Sequence, residues 1–291
     1  MTEIEYLIAI STFTYLGPAR IKLLVSFFKS AKNIWYAGYE DLLKVGISQK
    51  KINEFILFRE KFDFNKYFEQ LEKQNIYVTT FLDKDFPKSL KDLDGAPVVL
   101  YFRGSLKCLS KPSVAIIGTR KMTLYGKEVT KMFSGKLGKL GVTIISGLAR
   151  GIDTEAHRSC LSVGGTTVAI LGHGLDQIYP PENRNLANEI VKKGGAIISE
   201  FPIGYPIRPE NFIIRNRIVS GLSSCVLVIE GAEKSGTLTT ATHAAEQGKT
   251  VFAVPGDITS PLSKAPLFLL KNGARIATEV DDILEELKVF L

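Results

Sequence analysis

The feature of this sequence that most constrains its fold is a regular alternation of short apolar runs and helical stretches over residues 114–254. Each apolar run is rich in β-branched residues, which is typical of strands that are buried on both faces of a parallel sheet. Six strands are predicted, at 114–117, 142–145, 167–171, 196–199, 226–229 and 251–254. The helices predicted between them lie at 125–139, 154–162, 184–193, 216–221 and 237–247. This alternation predicts an α/β fold with an extended Rossmann-like parallel sheet and helices on both faces.

The first 70 residues have a different sequence pattern, because their apolar residues recur at helical spacing. Tyr6, Leu7 and Ile10 form one such apolar face. Two glycine-containing breaks, at 16–20 and 45–48, are each followed by a new helix, which is the outline of a helix-hairpin-helix. We interpret these breaks as αα-corners that pack helices. The alternative is that their backbone N–H groups contact DNA phosphates.

The change near residue 71, from helical spacing to short β-type runs, predicts two domains. Residues 1–70 are predicted to form a small all-α domain of the SAM or helix-hairpin-helix type, and residues 71–291 the Rossmann-like domain. Two short β-type runs at 76–80 and 98–102, separated by turn residues, begin the second domain.

Glycine and basic residues follow the carboxyl ends of the predicted strands. In a parallel sheet those ends meet at one edge, and ligands bind in the crevice outside them. The basic residues in these segments are Arg120, Lys121, Arg150, Arg208, Arg215, Arg217 and Lys234. We therefore predict a basic, glycine-lined cleft that suits phosphate groups.

The two arginines of the R-N-R segment, Arg215 and Arg217, flank Asn216 at the predicted start of a helix. We expect at least one of them to contact phosphate, and the alternative is an ion pair with Glu200 or Glu230. For Arg150 the two alternatives are likewise phosphate contact and an ion pair.

Other residues are expected to shape or complete the cleft. Asp153 is expected to cap its helix, whereas Ser235 and Thr237 are expected to cap the helix that begins near Gly236 and also to reach phosphate. Phe212 either stacks on a base or belongs to the core. The full predicted DNA-binding set is Gly118, Thr119, Arg120, Lys121, Gly147, Arg150, Arg208, Phe212, Arg215, Asn216, Arg217, Lys234, Ser235 and Thr237.

Several chemistries are disfavoured by the composition and the motifs. The three cysteines include no C-x-x-C pair, so we expect neither disulfides nor zinc, and a reducing cytoplasm. The three histidines show no metal-ligand spacing, and no apolar run is long enough to span a bilayer. Gly231 and Gly236 have P-loop spacing, but Thr237 stands where the P-loop lysine belongs. We therefore expect no metal, no cofactor and no ATP hydrolysis, while the net charge of +7 fits a polyanionic partner such as nucleic acid.

At its strand-end motifs the chain resembles the DNA-processing protein A (DprA/Smf) family. The matching motifs are G-T-R-x-x-T-x-Y-G at 118–126, S-G-L-A-R-G-I-D at 146–153, L-G-H-G-L-D-Q-I-Y-P-P-E-N at 171–183, I-S-E-F-P at 198–202, R-N-R-I at 215–218, K-S-G-T-L-T-T-A at 234–241 and V-F-A-V-P-G at 251–256. Ile213 departs from the family pattern, in which a proline usually occupies that position.

The resemblance implies a non-catalytic, homodimeric protein that binds single-stranded DNA without sequence preference. It implies protection of incoming DNA during natural transformation, that is in competence and DNA recombination, and loading of the RecA recombinase. It also implies DNA contact by Arg120 and by the region of Phe212, Arg215 and Arg217.

Two functions of other classes are weighed against this one. A nucleotide-handling enzyme of the lysine-decarboxylase-like phosphoribohydrolase type has a similar sheet, and Glu230 and Glu233 would supply carboxylates. However, the P-G-G-x-G-T motif of those enzymes is not reproduced at 230–237. A protein-interaction scaffold would bind no DNA even at low salt.

Overall fold

In the computed structural model, which describes residues 1–288, nine strands form one sheet. They are β1 (Tyr77–Thr80), β2 (Val99–Gly104), β3 (Ser113–Ile117), β4 (Thr143–Ser146), β5 (Thr167–Leu171), β6 (Ala196–Ser199), β7 (Cys225–Val228), β8 (Val251–Ala253) and β9 (Arg275–Ile276). Their order across the sheet is β1-β2-β6-β5-β4-β3-β7-β8-β9. Strands β3 to β9 pair in parallel, whereas β2 pairs antiparallel with both β1 and β6.

The predicted Rossmann-like sheet is confirmed, and the bounds of the six predicted strands differ by at most one residue at either end. Every residue of β3 to β7 is buried, which explains why these strands read as continuous apolar runs. The two earlier β-type runs are β1, at one edge of the sheet, and β2, which lies between β1 and β6; both pair antiparallel, so the sheet is mixed. Strand β9 was not among the predicted strands.

Fourteen helices accompany the sheet within residues 1–288. They are α1 (Glu3–Thr12), α2 (Pro18–Phe28), α3 (Ala31–Tyr36), α4 (Tyr39–Lys44), α5 (Gln49–Lys61), α6 (Phe64–Lys73), α7 (Lys88–Lys91), α8 (Leu124–Lys139), α9 (Ile152–Ser162), α10 (Arg184–Lys192), α11 (Pro209–Leu222), α12 (Gly236–Glu246), α13 (Lys264–Lys271) and α14 (Val280–Leu287). We find no helix among these residues that is both long and apolar enough to cross a lipid bilayer.

Helix α11 begins seven residues before the predicted start at residue 216. Pro209 occupies its first position, where a fixed φ and a missing N–H suit a helix start, and Arg208 is the extended N-cap residue. The R-N-R segment at 215–217 therefore lies in the middle of a helix, and its predicted place at a helix start was wrong.

Helices cover both faces of the sheet, and alternate residues of β3 show how. Val114 and Ile116 belong to the same hydrophobic cluster as Phe133 of α8. Ala115 and Ile117 point to the opposite face, into a cluster with Ile218 of α11. The parallel strands are thus buried between two helical layers.

The N-terminal helices pack directly on the sheet. Leu7 of α1 belongs to one hydrophobic cluster with Ala169 of β5, and the Tyr67 hydroxyl of α6 donates to the Tyr101 hydroxyl of β2 at 3.0 Å. The predicted boundary between residues 70 and 71 falls inside α6. The two-domain division stays a prediction, and residues 289–291 of the predicted second domain lie outside the described residues.

The strand order creates a topological switch point at β3. The chain runs from β3 through β4 and β5 to β6 in one direction, and then returns to place β7 on the other side of β3. In open α/β sheets such a reversal leaves a crevice at the carboxyl ends of the strands. The loops after β3, β4 and β7 open into this crevice.

Candidate nucleic-acid interface

A cavity of about 640 Å³ occupies this crevice, between the loops that follow β3, β4 and β7 and one face of α11. Ten of the predicted site residues line it: Gly118, Thr119, Arg120, Lys121, Gly147, Phe212, Arg215, Asn216, Ser235 and Thr237. Four others, Arg150, Arg208, Arg217 and Lys234, lie outside its lining. The structure therefore brings most of the predicted set together at one cleft.

The loop that carries Arg120 is held in place by Glu230, a buried residue two positions after the end of β7. The Glu230 backbone oxygen accepts from the Thr119 N–H at 2.8 Å. Its carboxylate accepts from the Thr123 N–H at 3.0 Å and from the Thr123 hydroxyl at 2.5 Å. A Cβ on Gly126 would overlap this carboxylate, which explains the glycine of the G-T-R-x-x-T-x-Y-G motif. Sequence reasoning missed this role of Glu230, although the motif contains both Thr123 and Gly126.

The turn after β4 packs against the same loop. Gly151 has a φ of 75°, and a Cβ there would overlap the Thr119 carbonyl oxygen. The next residue, Ile152, donates its N–H to that oxygen at 3.2 Å. Two glycine-containing motifs that are distant in sequence thereby form one rigid wall of the cleft.

Asp153 braces this turn instead of capping its helix, so the predicted cap was wrong. Gly151 is the N-cap residue of α9, and Asp153 is already the second helical residue. The Asp153 carboxylate accepts from the backbone N–H groups of Gly147 at 3.0 Å and Ala149 at 3.4 Å. Burial raises the pKa of Asp153, while nearby Arg215 and these two donors act in the opposite direction.

Arg215 lies at the bottom of the cleft and is only 4% exposed. Its Nη1 group donates to the carbonyl oxygens of Gly147, at 2.9 Å, and Ile170. A Cβ on Gly147 would overlap the guanidinium, so only glycine allows this approach. Burial lowers the pKa of Arg215 to about 10, and Asp153 favours its charged form. Arg215 is therefore still charged at neutral pH, and its bonds join the ends of β4 and β5 to α11.

Arg217 and Arg150 form the ion pairs that were weighed against phosphate contact. The two terminal nitrogens of Arg217 each donate to one Glu200 oxygen at 2.6 Å, and its Nε donates to the Gly95 oxygen at 2.9 Å. Arg150 is exposed and donates to Glu182. The predicted DNA contacts of these residues stay predictions.

The remaining cations have no carboxylate partner. Arg120, Lys121, Arg208 and Lys234 are exposed, and none of them forms a salt bridge within residues 1–288. The Arg120 guanidinium carbon lies 5.6 Å from the centroid of the Phe212 ring, at the mouth of the cleft. A partly buried aromatic ring beside an unpaired guanidinium offers both stacking and charge.

The N-terminus of α12 also opens into the cleft. Helix α12 begins at Gly236, and Ser235 is its N-cap residue, but no side-chain capping bond forms there. The Ser235 hydroxyl is buried without a hydrogen-bond partner in the described part of the chain. The predicted helix start near Gly236 is confirmed, whereas the predicted caps were wrong, because Ser235 forms no side-chain capping bond and Thr237 is the second helical residue. Free N–H groups at a helix N-terminus bind anions, so this end of the cleft suits a phosphate.

Two histidines near the cleft are buried. His157 is fully buried with its Nδ1 2.6 Å from the Thr167 hydroxyl, and burial lowers its pKa to about 3. His173 is also buried, and burial lowers its pKa as well. Both rings are therefore neutral at physiological pH.

The strand order and the cleft define the class of this protein, a Rossmann-like α/β protein with a crevice lined by basic residues and glycines at its topological switch point. A family model described as DNA recombination-mediator protein A matches residues 77–288. The chain therefore belongs to the DNA recombination-mediator protein A family, and the resemblance to DprA/Smf proteins is confirmed.

Individual relatives agree with this assignment. Protein Smf of Synechocystis sp. is 39% identical over 291 residues, covering 98% of this chain and 73% of that protein. The X-ray structure of DNA processing protein A from Streptococcus pneumoniae superposes with a TM-score of 0.84 at 31% identity, covering 98% of each chain. DNA processing protein A from Helicobacter pylori, whose structure concerns its single-stranded DNA binding mode, gives a TM-score of 0.65 at 32% identity and covers 72% of this chain and 95% of that one.

Proposed function

We propose that this protein binds single-stranded DNA in the cleft, without sequence preference and without catalysing a reaction. The observation that carries the proposal is the Arg120–Phe212 pair at the mouth of the cleft. Aromatic rings that stack on bases, combined with unpaired cations, are the usual means of binding a single strand. Membership of the family, and the single-stranded DNA binding mode of the Helicobacter pylori relative, support it.

Each part of the cleft has a distinct task in this proposal. Phosphates lie at the N-terminus of α12 and beside Arg120, Lys121 and Lys234, while one base stacks on Phe212. Neither a phosphate contact nor a stacking contact distinguishes the four bases, so all sequences bind alike.

The wider role follows from the family resemblance. We infer that the protein acts in the cytoplasm as a homodimer, protects incoming DNA during natural transformation and delivers it to RecA. The inference is supported by the family assignment and by the relatives named as DNA processing proteins.

The first test measures fluorescence anisotropy of single- and double-stranded oligonucleotides over a series of salt concentrations. Arg120→Ala is expected to weaken binding to every single strand and to reduce the slope of log K against log salt by about 0.7, the value for one lost phosphate contact. Arg158→Ala, which removes an exposed arginine of α9 outside the cleft lining, is the matched control.

Two results would contradict the proposal. An unchanged slope for Arg120→Ala would show that this arginine meets no phosphate. Release of free base from nucleoside monophosphates would favour the phosphoribohydrolase alternative, because a binding protein gives no turnover.

A further inference from the structure

A second cavity, of about 460 Å³, lies between the N-terminal helices and the loop that leads from β6 to α11. Tyr15 and Phe58 line it on the helical side, and Tyr205 and Arg208 line it on the loop side. Ligand sites commonly form at such junctions between two packed regions, because side chains from both regions converge there.

The second cavity adjoins the cleft at the first residues of α11, because consecutive residues line the two. Arg208 lines the second cavity, and the next residue, Pro209, lines the cleft together with Phe212. A flexible polymer that leaves the cleft beside Phe212 therefore meets the second cavity after passing the N-terminal end of a single helix.

The chemistry of the second cavity matches that of the cleft mouth. Tyr15 is 63% exposed, so its ring is accessible to a ligand. The Tyr205 ring is held by stacking on Phe201, with ring centroids 4.7 Å apart. The Lys51 ammonium group donates to the Tyr15 carbonyl oxygen at 3.2 Å, which places a cation beside the Tyr15 backbone at the edge of this cavity.

The charges around this cavity favour an anionic partner. Neither Lys51 nor Arg208 forms a salt bridge within the described part of the chain. Asp176 accepts a hydrogen bond from the Gly204 N–H at 3.1 Å, so that carboxylate is already engaged. The exposed Tyr15 ring and the partly buried Tyr205 ring, together with these cations, suit the bases and phosphates of a single strand.

We propose that the single strand continues from the cleft across the start of α11 onto this second surface, formed by Tyr15, Lys51, Tyr205 and Arg208. Bases stack on the two tyrosines, and phosphates lie beside the lysine and the arginine. The N-terminal helices thereby lengthen the binding site instead of only packing on the sheet. This inference rests on the function proposed for the cleft.

Comparing oligonucleotides of two lengths tests the second surface separately from the cleft. A strand of about 5 nucleotides fills the cleft alone, whereas one of about 15 nucleotides reaches both surfaces. Tyr15→Ala is expected to weaken binding of the longer strand about fivefold and to leave the shorter strand unaffected. Tyr15→Phe keeps the ring and is expected to bind both lengths like the wild type.

Lys51→Ala is expected to weaken the longer strand and to reduce its salt slope, while leaving the slope of the shorter strand unchanged. Lys50→Ala, the adjacent exposed lysine of α5, is the matched control. Because Tyr15 and Lys51 are exposed, we expect all these variants to fold, which thermal unfolding verifies.

Each remaining outcome overturns the inference. If Tyr15→Ala binds the longer strand like the wild type, no base stacks there. If it weakens both lengths equally, Tyr15 acts on the cleft and not on a second surface. If the wild type binds neither length, the function proposed for the cleft fails, and that result is distinct from a failure confined to the longer strand.

Discussion

The bottom of the cleft and its mouth each contain an arginine, but one is buried and bonded within the protein, whereas the other is exposed. At the bottom, Arg215 is buried and donates to backbone carbonyl oxygens, with Asp153 nearby. At the mouth, Arg120 is exposed, has no carboxylate partner among residues 1–288 and lies over Phe212. Both arginines belong to strand-end motifs that predicted the same role. The difference shows that the partners available to an arginine, and not its motif, decide whether it stabilises the fold or is free to bind DNA.

The physical basis of this difference is the cost of burying a charge. A buried guanidinium must find acceptors within the protein, since an unpaired one would destabilise the fold by several kcal/mol. Arg215 meets this requirement in part, because its Nη1 group donates to Gly147 and Ile170, whereas its Nε is buried without a hydrogen-bond partner in the described part of the chain. An exposed cation remains hydrated at little cost and exchanges that water for a phosphate when DNA binds.

The largest effect is expected at the bottom of the cleft. Arg215→Met removes the charge and leaves Asp153 buried without its cation, so the free energy of unfolding should fall by about 3–5 kcal/mol. Arg120→Ala, at the mouth, should change it by less than about 0.5 kcal/mol. Urea unfolding monitored by circular dichroism measures both variants. If both variants had the same free energy of unfolding, Arg215 would not stabilise the fold more than Arg120 does.

Phe212 at the mouth provides the next effect. Phe212→Ala should weaken single-stranded DNA binding by about 1–3 kcal/mol, because one stacked base loses its platform. Phe212→Trp should retain most of the affinity, since it keeps an aromatic face. Phe268→Ala, which removes a 53% exposed ring of α13, is the control for nonspecific contact. If Phe212→Leu bound as well as the wild type, the ring would be a packing residue only.

The burial of His157 predicts that the free energy of unfolding depends on pH. His157 has a pKa of about 3 in the folded protein, below its value in the unfolded chain, so the unfolded state binds the extra proton as the pH falls. Stability should therefore decrease below about pH 6.5, by about 2 kcal/mol for this group at pH 5.

Urea midpoints at pH 7 and pH 5 measure the effect. His157→Asn should be less stable at pH 7 but should show a flatter dependence on pH. His243→Gln, which replaces a partly exposed histidine of α12, should keep the full dependence. A steep dependence retained in His157→Asn would assign the proton uptake to another group.

The smallest effect is expected at the exposed Arg150–Glu182 pair. Glu182→Gln should leave the urea midpoint unchanged, because exposed ion pairs contribute little to stability. It should also free the Arg150 guanidinium and slightly increase the affinity for single-stranded DNA. A decrease in affinity would show instead that the ion pair positions Arg150 for binding.

The fold was largely predictable because the spacing of apolar residues along the sequence indicates which faces of strands and helices are buried. The all-apolar runs of β3 to β8 and the helical stretches between them fall close to the predicted bounds. The start of α11 was not predicted, because the segment 209–215 lacks an apolar repeat and Pro209 was not recognised as a first helical residue. The capping prediction for Asp153 failed since its carboxylate turns back to the N–H groups of Gly147 and Ala149.

The sequence by itself determined the alternation of strands and helices, the glycines at the strand ends, the family, and the set of residues that meets at one cleft. Only the tertiary structure decided which cations are paired. The acids that engage Arg150 and Arg217 lie 32 and 17 residues away in sequence, and their approach depends on side-chain direction across two loops. Motif spacing places a backbone segment at the edge of a sheet, but an ion pair forms only where two side chains from different segments point at each other.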